Sequence, residues 1–184
     1  MAVIFTRLAT KSDIPEIMAV VTEAKKLLKS EGNEQWPENY PNAEIFTEDI
    51  EKNYCYVLIV GHTIAGVATL WQEGDAPYEN LTDGEWQNPS APYSTIHRVA
   101  ISSEFRGQNL TGILFSHLFS YSYENGFHNV RIDTHDYNKR MQHIMKKNGF
   151  EYRGKIIVDD TGKHEYSERL GFELNLPEPK DDRH

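Results

Sequence analysis

The stretch EFRGQNLTGILF, residues 104–115, decides how this chain folds. An apolar run, TIHRVAI (residues 95–101), precedes it, and Leu110, Ile113, Leu114, His117, Leu118 and Tyr121 then mark one face at helical spacing. A strand therefore turns into a helix here. At such a junction the first main-chain N–H groups of the helix have no intrahelical acceptor, and the helix dipole favours an anion. Arg106 adds a fixed cation and Gly107 a flexible backbone. The junction fits a phosphate grip, and it fits equally the polar start of an ordinary amphipathic helix.

Upstream, YCYVLIV (54–60), a GHT turn and IAGVATLW (64–71) read as an antiparallel hairpin of buried strands. VIFTRLA (3–9) reads as the first strand. Ser12 or Asp13 then caps a helix carrying Ile14, Ile17, Met18, Val21, Leu27 and Leu28 at helical spacing, with Pro15 in the first turn where its missing N–H costs little. SEGNEQWPENYPN (30–42) is an irregular connection, and AEIFTEDIEKN (43–53) forms a second short helix. Residues 73–93 contain no periodic segment. A loop of that length is either a lid or substrate wall, or a disordered insertion.

Downstream, NVRIDTH (129–135) is a strand, and NKRMQHIMKKNGF (138–150) is a short helix ended by Asn148 and Gly149. EYRGKIIVDDTGKHEYSERLGFELNL (151–176) closes as two strands around a DDTGK turn. The tail, residues 177–184, reads as disordered. The order β-α-α-β-β-β-α-β-α-β-β makes a mixed sheet with helices on its faces, an α/β or α+β domain over residues 1–176.

With 184 residues the chain is long enough to bury a sizeable core in one domain. Its net charge of −9 opposes general affinity for nucleic acid or anionic membrane and leans toward cationic partners. The one cysteine, Cys55, forms no internal disulfide, and its apolar surroundings mark it as core filler. The histidines show no ligand spacing, so no metal site is expected. Neither a signal peptide nor a run of membrane-spanning length is evident, which points to the cytoplasm.

From TIHRVAISSEFRGQNLTG (95–112) to DYNKRMQHIMKKNGF (136–150) the sequence resembles the GNAT superfamily of acyl-CoA-dependent N-acetyltransferases. RLATKSDIPEI (7–17) is similar to that family's first strand and helix, so the resemblance spans nearly the whole chain. The family's loop reads Arg or Gln, two residues, Gly, one residue, then Gly or Ala. Arg106 matches, whereas Asn109 and Thr111 stand at the two small-residue positions. Asn109 can take the left-handed backbone that glycine would supply, and the β-branched Thr111 narrows the approach of a phosphate.

The resemblance implies a GNAT fold with a splayed strand pair, and acetyl-CoA as cosubstrate. Main-chain groups of Gly107, Gln108, Asn109, Leu110, Thr111 and Gly112 would then surround the diphosphate, with Arg106 beside them. Val99, Ala100 and Ile101 would pair through the main chain with the pantetheine arm. Asn138 would reach the cofactor, and Arg140, with Lys139, Lys146 and Lys147, could meet the remaining phosphate.

Acyl transfer to a primary amine needs the ammonium deprotonated and the thiolate released. Asp133 occupies the position, five residues before the asparagine, where related members carry a carboxylate. His135 follows on the same strand face, and His97 lies on the adjacent strand. A neutral histidine suits proton removal near pH 7, so the base is Asp133 with His135 or His97 in support. An N–H near Val99 would meet the oxyanion. Seven residues after Asn138, where the family often has a proton-donating tyrosine, stands Met145. A thioether donates no proton, which leaves Tyr137, Tyr152 or water.

The acceptor walls fall to NEQWPENYPN (33–42) and to Tyr78, Glu79, Asp83, Glu85 and Trp86, whose aromatic rings and carboxylates suit an amine. A homodimer is compatible with the resemblance. Two rivals remain. One is a non-catalytic acyl-CoA binder, which Met145 favours. The other is a nucleotide-binding protein, although the loop lacks the Lys and Ser/Thr pair of a P-loop.

Overall fold

The computed structural model describes residues 1–159 and 165–180. Its elements are β1 (Ile4–Leu8), α1 (Ile14–Ser30), α2 (Ala43–Glu51), β2 (Cys55–Val60), β3 (Thr63–Trp71), α3 (Ala76–Glu79) and β4 (Tyr93–Ile101). There follow α4 (Leu110–Glu124), β5 (Asn129–Thr134), α5 (Lys139–Lys147), β6 (Glu151–Asp159) and β7 (Tyr166–Asn175). The strands form one sheet in the order β1-β2-β3-β4-β5-β7-β6. Every pairing is antiparallel except that of β4 with β5.

The central strands are buried on both faces, and their two-residue period divides the core in two. Tyr56 and Leu58 of β2 pack with Leu114, Phe115 and Leu118 of α4 and Met145 of α5. The alternate residues Val57 and Ile59 pack on the other face with Ile17, Val20 and Val21 of α1 and Phe46 of α2. Each large side chain so removed from water contributes about 1.5–3 kcal/mol, and together they clamp the helices on opposite faces of the sheet.

The structure refines the local expectations. Asp13 stands at the N-terminal cap position of α1, but its side chain makes no bond to that helix: it turns to Arg7 at 2.7 and 3.0 Å and accepts from the Thr10 N–H and hydroxyl. A 3-10 turn over Lys11–Asp13 then leads into α1. Residues 73–93 are an ordered wall carrying α3. Thr82 and Lys155 exchange two main-chain hydrogen bonds of 2.8 Å, and the Trp86 indole donates to the Tyr78 carbonyl at 2.7 Å. Gly84, at φ 159°, lies so close to β6 that a Cβ there would sit 1.8 Å from the Arg153 carbonyl oxygen. Of the DDTGK turn, residues 160–163 lie outside the described residues, as do residues 181–184 of the tail. The described part of that tail has no helix or strand, but Glu178 pairs with His128.

The feature that positions a site is a splay. β4 and β5 pair only over Tyr93–Thr95 and Asn129–Arg131. Beyond that point β4 follows β3 to Ile101, and β5 follows β7 to Thr134. β4 also bulges: its register with β3 shifts between Val67 and Thr69, and Arg98 takes φ 52°. An extra residue there bends the strand and re-aims its neighbours.

Candidate active site

At the far end of β4 the chain passes through a 3-10 turn, Ser103–Phe105, and then enters the left-handed region twice, at Gly107 (φ 78°) and Asn109 (φ 54°). Asn109 thus supplies the backbone its position requires. Its side chain lies against Gly112, where a Cβ would come within 2.9 Å of Oδ1. Ile113 donates to the Asn109 carbonyl at 3.2 Å, whereas the N–H groups of residues 107–112 have no acceptor among the described residues. Thr111 falls in the first turn of α4, half-buried, and Arg106 is exposed beside the loop. Free donors at a helix start, with a cation beside them, have the chemistry that a phosphate or diphosphate requires.

The splay opens into a cavity of about 640 Å³. One wall is the α1–α2 connection, with Gln35, Trp36 and Tyr40; the opposite wall is Asp75 and Tyr78. His97, Arg98 and Val99 enter from β4, Asp133 from β5 and Arg169 from β7. Asp133 accepts from the Tyr78 hydroxyl on Oδ2 and from Arg169 at 3.3 Å on Oδ1. Burial, and then the Asp133 charge, push the Tyr78 phenol well above its ordinary pKa, so it stays protonated. His97 Nε2 lies 3.0 Å from Asp75 Oδ2. Arg98 grips Asp49 with two bonds of 2.8 Å and the Tyr40 hydroxyl with one of 3.0 Å. Burial works against the Arg98 charge, but Tyr40 and Asp49 outweigh it and its pKa is raised.

Of the residues singled out in the sequence, Asp133, His97, Val99 and Asn138 line this cavity, while Ala100 is buried behind it and Ile101 ends β4. Asn138 caps α5 by accepting from the Met141 N–H at 3.1 Å, and its amide reaches Gln35 at 3.4 Å. Arg140 is exposed and pairs with Glu31 at 3.6 Å. His135 does not extend the strand: β5 ends at Thr134, and His135 is buried against the Tyr137 ring, away from the cavity lining. Met145 is fully buried in the core, and Tyr137 and Tyr152 are exposed outside the cavity. The tyrosines that do line it are Tyr40 and Tyr78. Glu79, Asp83, Glu85 and Trp86 do not.

Sequence reasoning missed Asp49, Asp75, Arg98 and Arg169. Asp49 left a trace, since it follows Phe46 by three residues on the buried face of α2. The other three gather only when strands distant in sequence meet. Among the described residues no group of three or more His, Cys, Asp or Glu could hold a metal ion, and no helix is long and apolar enough to cross a membrane.

The family profile described as Acetyltransferase (GNAT) family matches residues 21–150, a span that contains the splay, the donor loop and Asn138. The chain belongs to this GNAT family. Comparison with curated proteins returns no match. Among solved structures, a GNAT-family acetyltransferase from Streptococcus agalactiae is 30% identical with a TM-score of 0.84, covering 96% of each chain. Two others share the GNAT fold at lower identity. A ribosomal-protein-alanine N-acetyltransferase from Brucella melitensis has a TM-score of 0.65 at 17% identity, over 94% of this chain and 99% of its own. A Salmonella typhimurium protein solved with its cofactor acetyl-CoA has a TM-score of 0.66 at 13% identity, over 96% of both chains.

Proposed function

We propose that this GNAT protein is a cytoplasmic N-acetyltransferase that moves the acetyl group of acetyl-CoA to a primary amine by direct attack. The observation that carries the reading is an acceptor-free donor loop, residues 107–112, directly following β4, the strand whose splay from β5 opens onto His97 and Asp133. The donor set fits a diphosphate, with Arg106 as its cation. The unpaired edge of β4 past Thr95 is free to hydrogen-bond an extended amide arm, through Val99, Ala100 and Ile101. Asn138 stands at the opposite lip, and Arg140 with its neighbouring lysines offers charge for a further phosphate.

When bound, acetyl-CoA supplies the thioester carbonyl. The acceptor nitrogen forms its bond to the acetyl carbon as the C–S bond breaks. The main-chain N–H near Val99, at the bulge, donates to the carbonyl oxygen as charge develops there. Asp133 was the carboxylate expected to act as base, with histidine support. Both its oxygens already accept hydrogen bonds, from Tyr78 and Arg169, so proton removal falls to His97 and Asp133 holds the Tyr78 wall. The aromatic rings of Trp36 and Tyr40 and the carboxylate of Glu48 give an amine cation–π and ionic contacts.

Calorimetry tests the cofactor and thiol release tests the reaction. Acetyl-CoA should give binding heat, and Arg106→Ala should weaken it roughly tenfold, the loss of one charged hydrogen bond of about 1.5 kcal/mol. A panel of amines should then release free coenzyme A thiol. No heat with acetyl-CoA or coenzyme A would refute the whole reading. Heat without thiol release from any amine would favour a non-catalytic acyl-CoA binder, the second reading, which Met145 supports by standing where the family often has a proton-donating tyrosine.

A further inference from the structure

Asp75 sits at the N-terminal cap position of α3, yet its side chain makes no capping bond. Its carboxylate instead faces His97, Oδ2 to Nε2 at 3.0 Å, with side-chain exposures of 26% and 21%. The main chain of Asp75 is pinned from the sheet: its N–H donates to the Tyr93 hydroxyl at 3.0 Å, and that hydroxyl approaches its carbonyl at 3.3 Å. The Tyr78 ring meets the imidazole edge-on, with centroids 6.1 Å apart and planes at 80°. The ring of His97 is thereby held in place by α3 and the segment before it.

An ionised carboxylate only accepts hydrogen bonds. Nε2 must therefore carry the hydrogen, and in the neutral ring Nδ1 keeps the lone pair. No hydrogen bond engages Nδ1 among the described residues. Two of the other carboxylates around the cavity are paired with arginines. Asp133 of β5 is bonded to Arg169 of β7, and Asp49 of α2 to Arg98, next to His97 on β4. Glu48 of α2 and Asp159 of β6 also line the cavity. Of all these carboxylates, Asp75 is the one in contact with the imidazole.

We propose that Asp75 is a positioning residue that fixes His97 as its Nε2–H tautomer, so that Nδ1 is the base that takes the proton from the acceptor's ammonium. The inference rests on the acetyltransferase reading for its chemistry. One N–H bond of the ammonium breaks and one forms at Nδ1; the nitrogen keeps the electron pair with which it attacks, and the imidazolium is stabilised by the Asp75 carboxylate until it returns the proton to solvent. It also gives a purpose to the anchoring of residues 73–93 on β6 and β7, because that wall carries Asp75.

The tautomer is read by long-range ¹H–¹⁵N spectra of the imidazole side chains in the full ¹⁵N-labelled chain. Loss of signals in His97→Gln identifies those of His97. The parent protein should show the Nε2–H pattern alone, and Asp75→Ala should show shifts averaged over the tautomer mixture of a free imidazole while the backbone spectrum stays otherwise native. An Nδ1–H pattern in the parent, or an unchanged His97 pattern in a folded Asp75→Ala, overturns the proposal. These spectra need neither acetyl-CoA nor an amine, so the tautomer can fail while the acetyltransferase reading stands, and the reverse. In the thiol-release assay Asp75→Asn should lower kcat roughly tenfold or more with an unchanged calorimetric affinity for acetyl-CoA, and Asp75→Glu should recover part of it. Loss of affinity in parallel with turnover, or no loss of turnover, would count against a positioning role.

Discussion

Asp49→Ala removes three hydrogen bonds at once. Nε and Nη2 of Arg98 each reach a carboxylate oxygen at 2.8 Å, and the Thr69 hydroxyl donates at 2.6 Å. With side-chain exposures of 11% and 3%, the Arg98–Asp49 pair is shielded from water. Arg98 would keep only its Tyr40 contact, and removing one partner of a buried pair costs about 3–5 kcal/mol. Arg98 also holds φ 52° at the bulge, a conformation that costs a residue with a Cβ about 1–2 kcal/mol. The Asp49 clamp is what offsets that strain. At about 2–4 °C per kcal/mol for a chain of this size, Tm should fall by about 6–20 °C. Circular dichroism during thermal and urea unfolding measures it. Asp49→Leu combined with Arg98→Met, which removes both charges, should regain most of the loss. A drop below about 1 kcal/mol, or a double variant as unstable as the single one, would show that the buried charge pair does not hold the bulge.

Two further outcomes follow from ionisable groups near the start of β2. The hydrogen bond from Arg7 holds the Asp13 carboxyl at about 2 against the opposing effect of burial, with help from Thr10. A folded-state value below the unfolded one means that the contribution is complete above about pH 4 and is lost as pH falls toward 2. Denaturant midpoints of the parent and Asp13→Asn should therefore converge over that interval, and a gap that persists at its acid end would contradict the assignment. Burial, and secondarily the Asp49 charge, push the Cys55 thiol up to about 12. Iodoacetamide at mildly alkaline pH should leave it unlabelled in the native protein and label it in urea; rapid native labelling would mean that β2 opens.

Much of the fold was legible because it is written in local periodicity. The unbroken apolar run VLIV and the three-and-four spacing of Ile17, Val20 and Val21 each demand apolar partners, whatever those partners are. The donor loop was legible for a similar reason: a strand-to-helix junction exposes its N–H groups by local geometry, and Asn109 tolerates the left-handed turn it was given. The α3 wall was not, since its four residues, Ala76–Glu79, carry no period and are fixed by Thr82, Trp86 and Gly84 meeting other strands. His135 was misplaced because nothing in NVRIDTH marks where β5 loses its β7 partner.

The sequence by itself determined the order of the elements other than α3, which faces are buried, and where N–H groups stand unpaired, because each depends on residues within a turn or two of one another. The tertiary structure alone decided the polar interior of the cavity. Asp75 and His97 are 22 residues apart, Arg98 and Asp49 49, and Asp133 and Tyr78 55. Such pairs form only once the splay of β4 from β5 and the anchoring of residues 73–93 bring their strands and loops together. Charge pairing acts over a few ångströms, and separation along the chain does not reveal which charges will come that close.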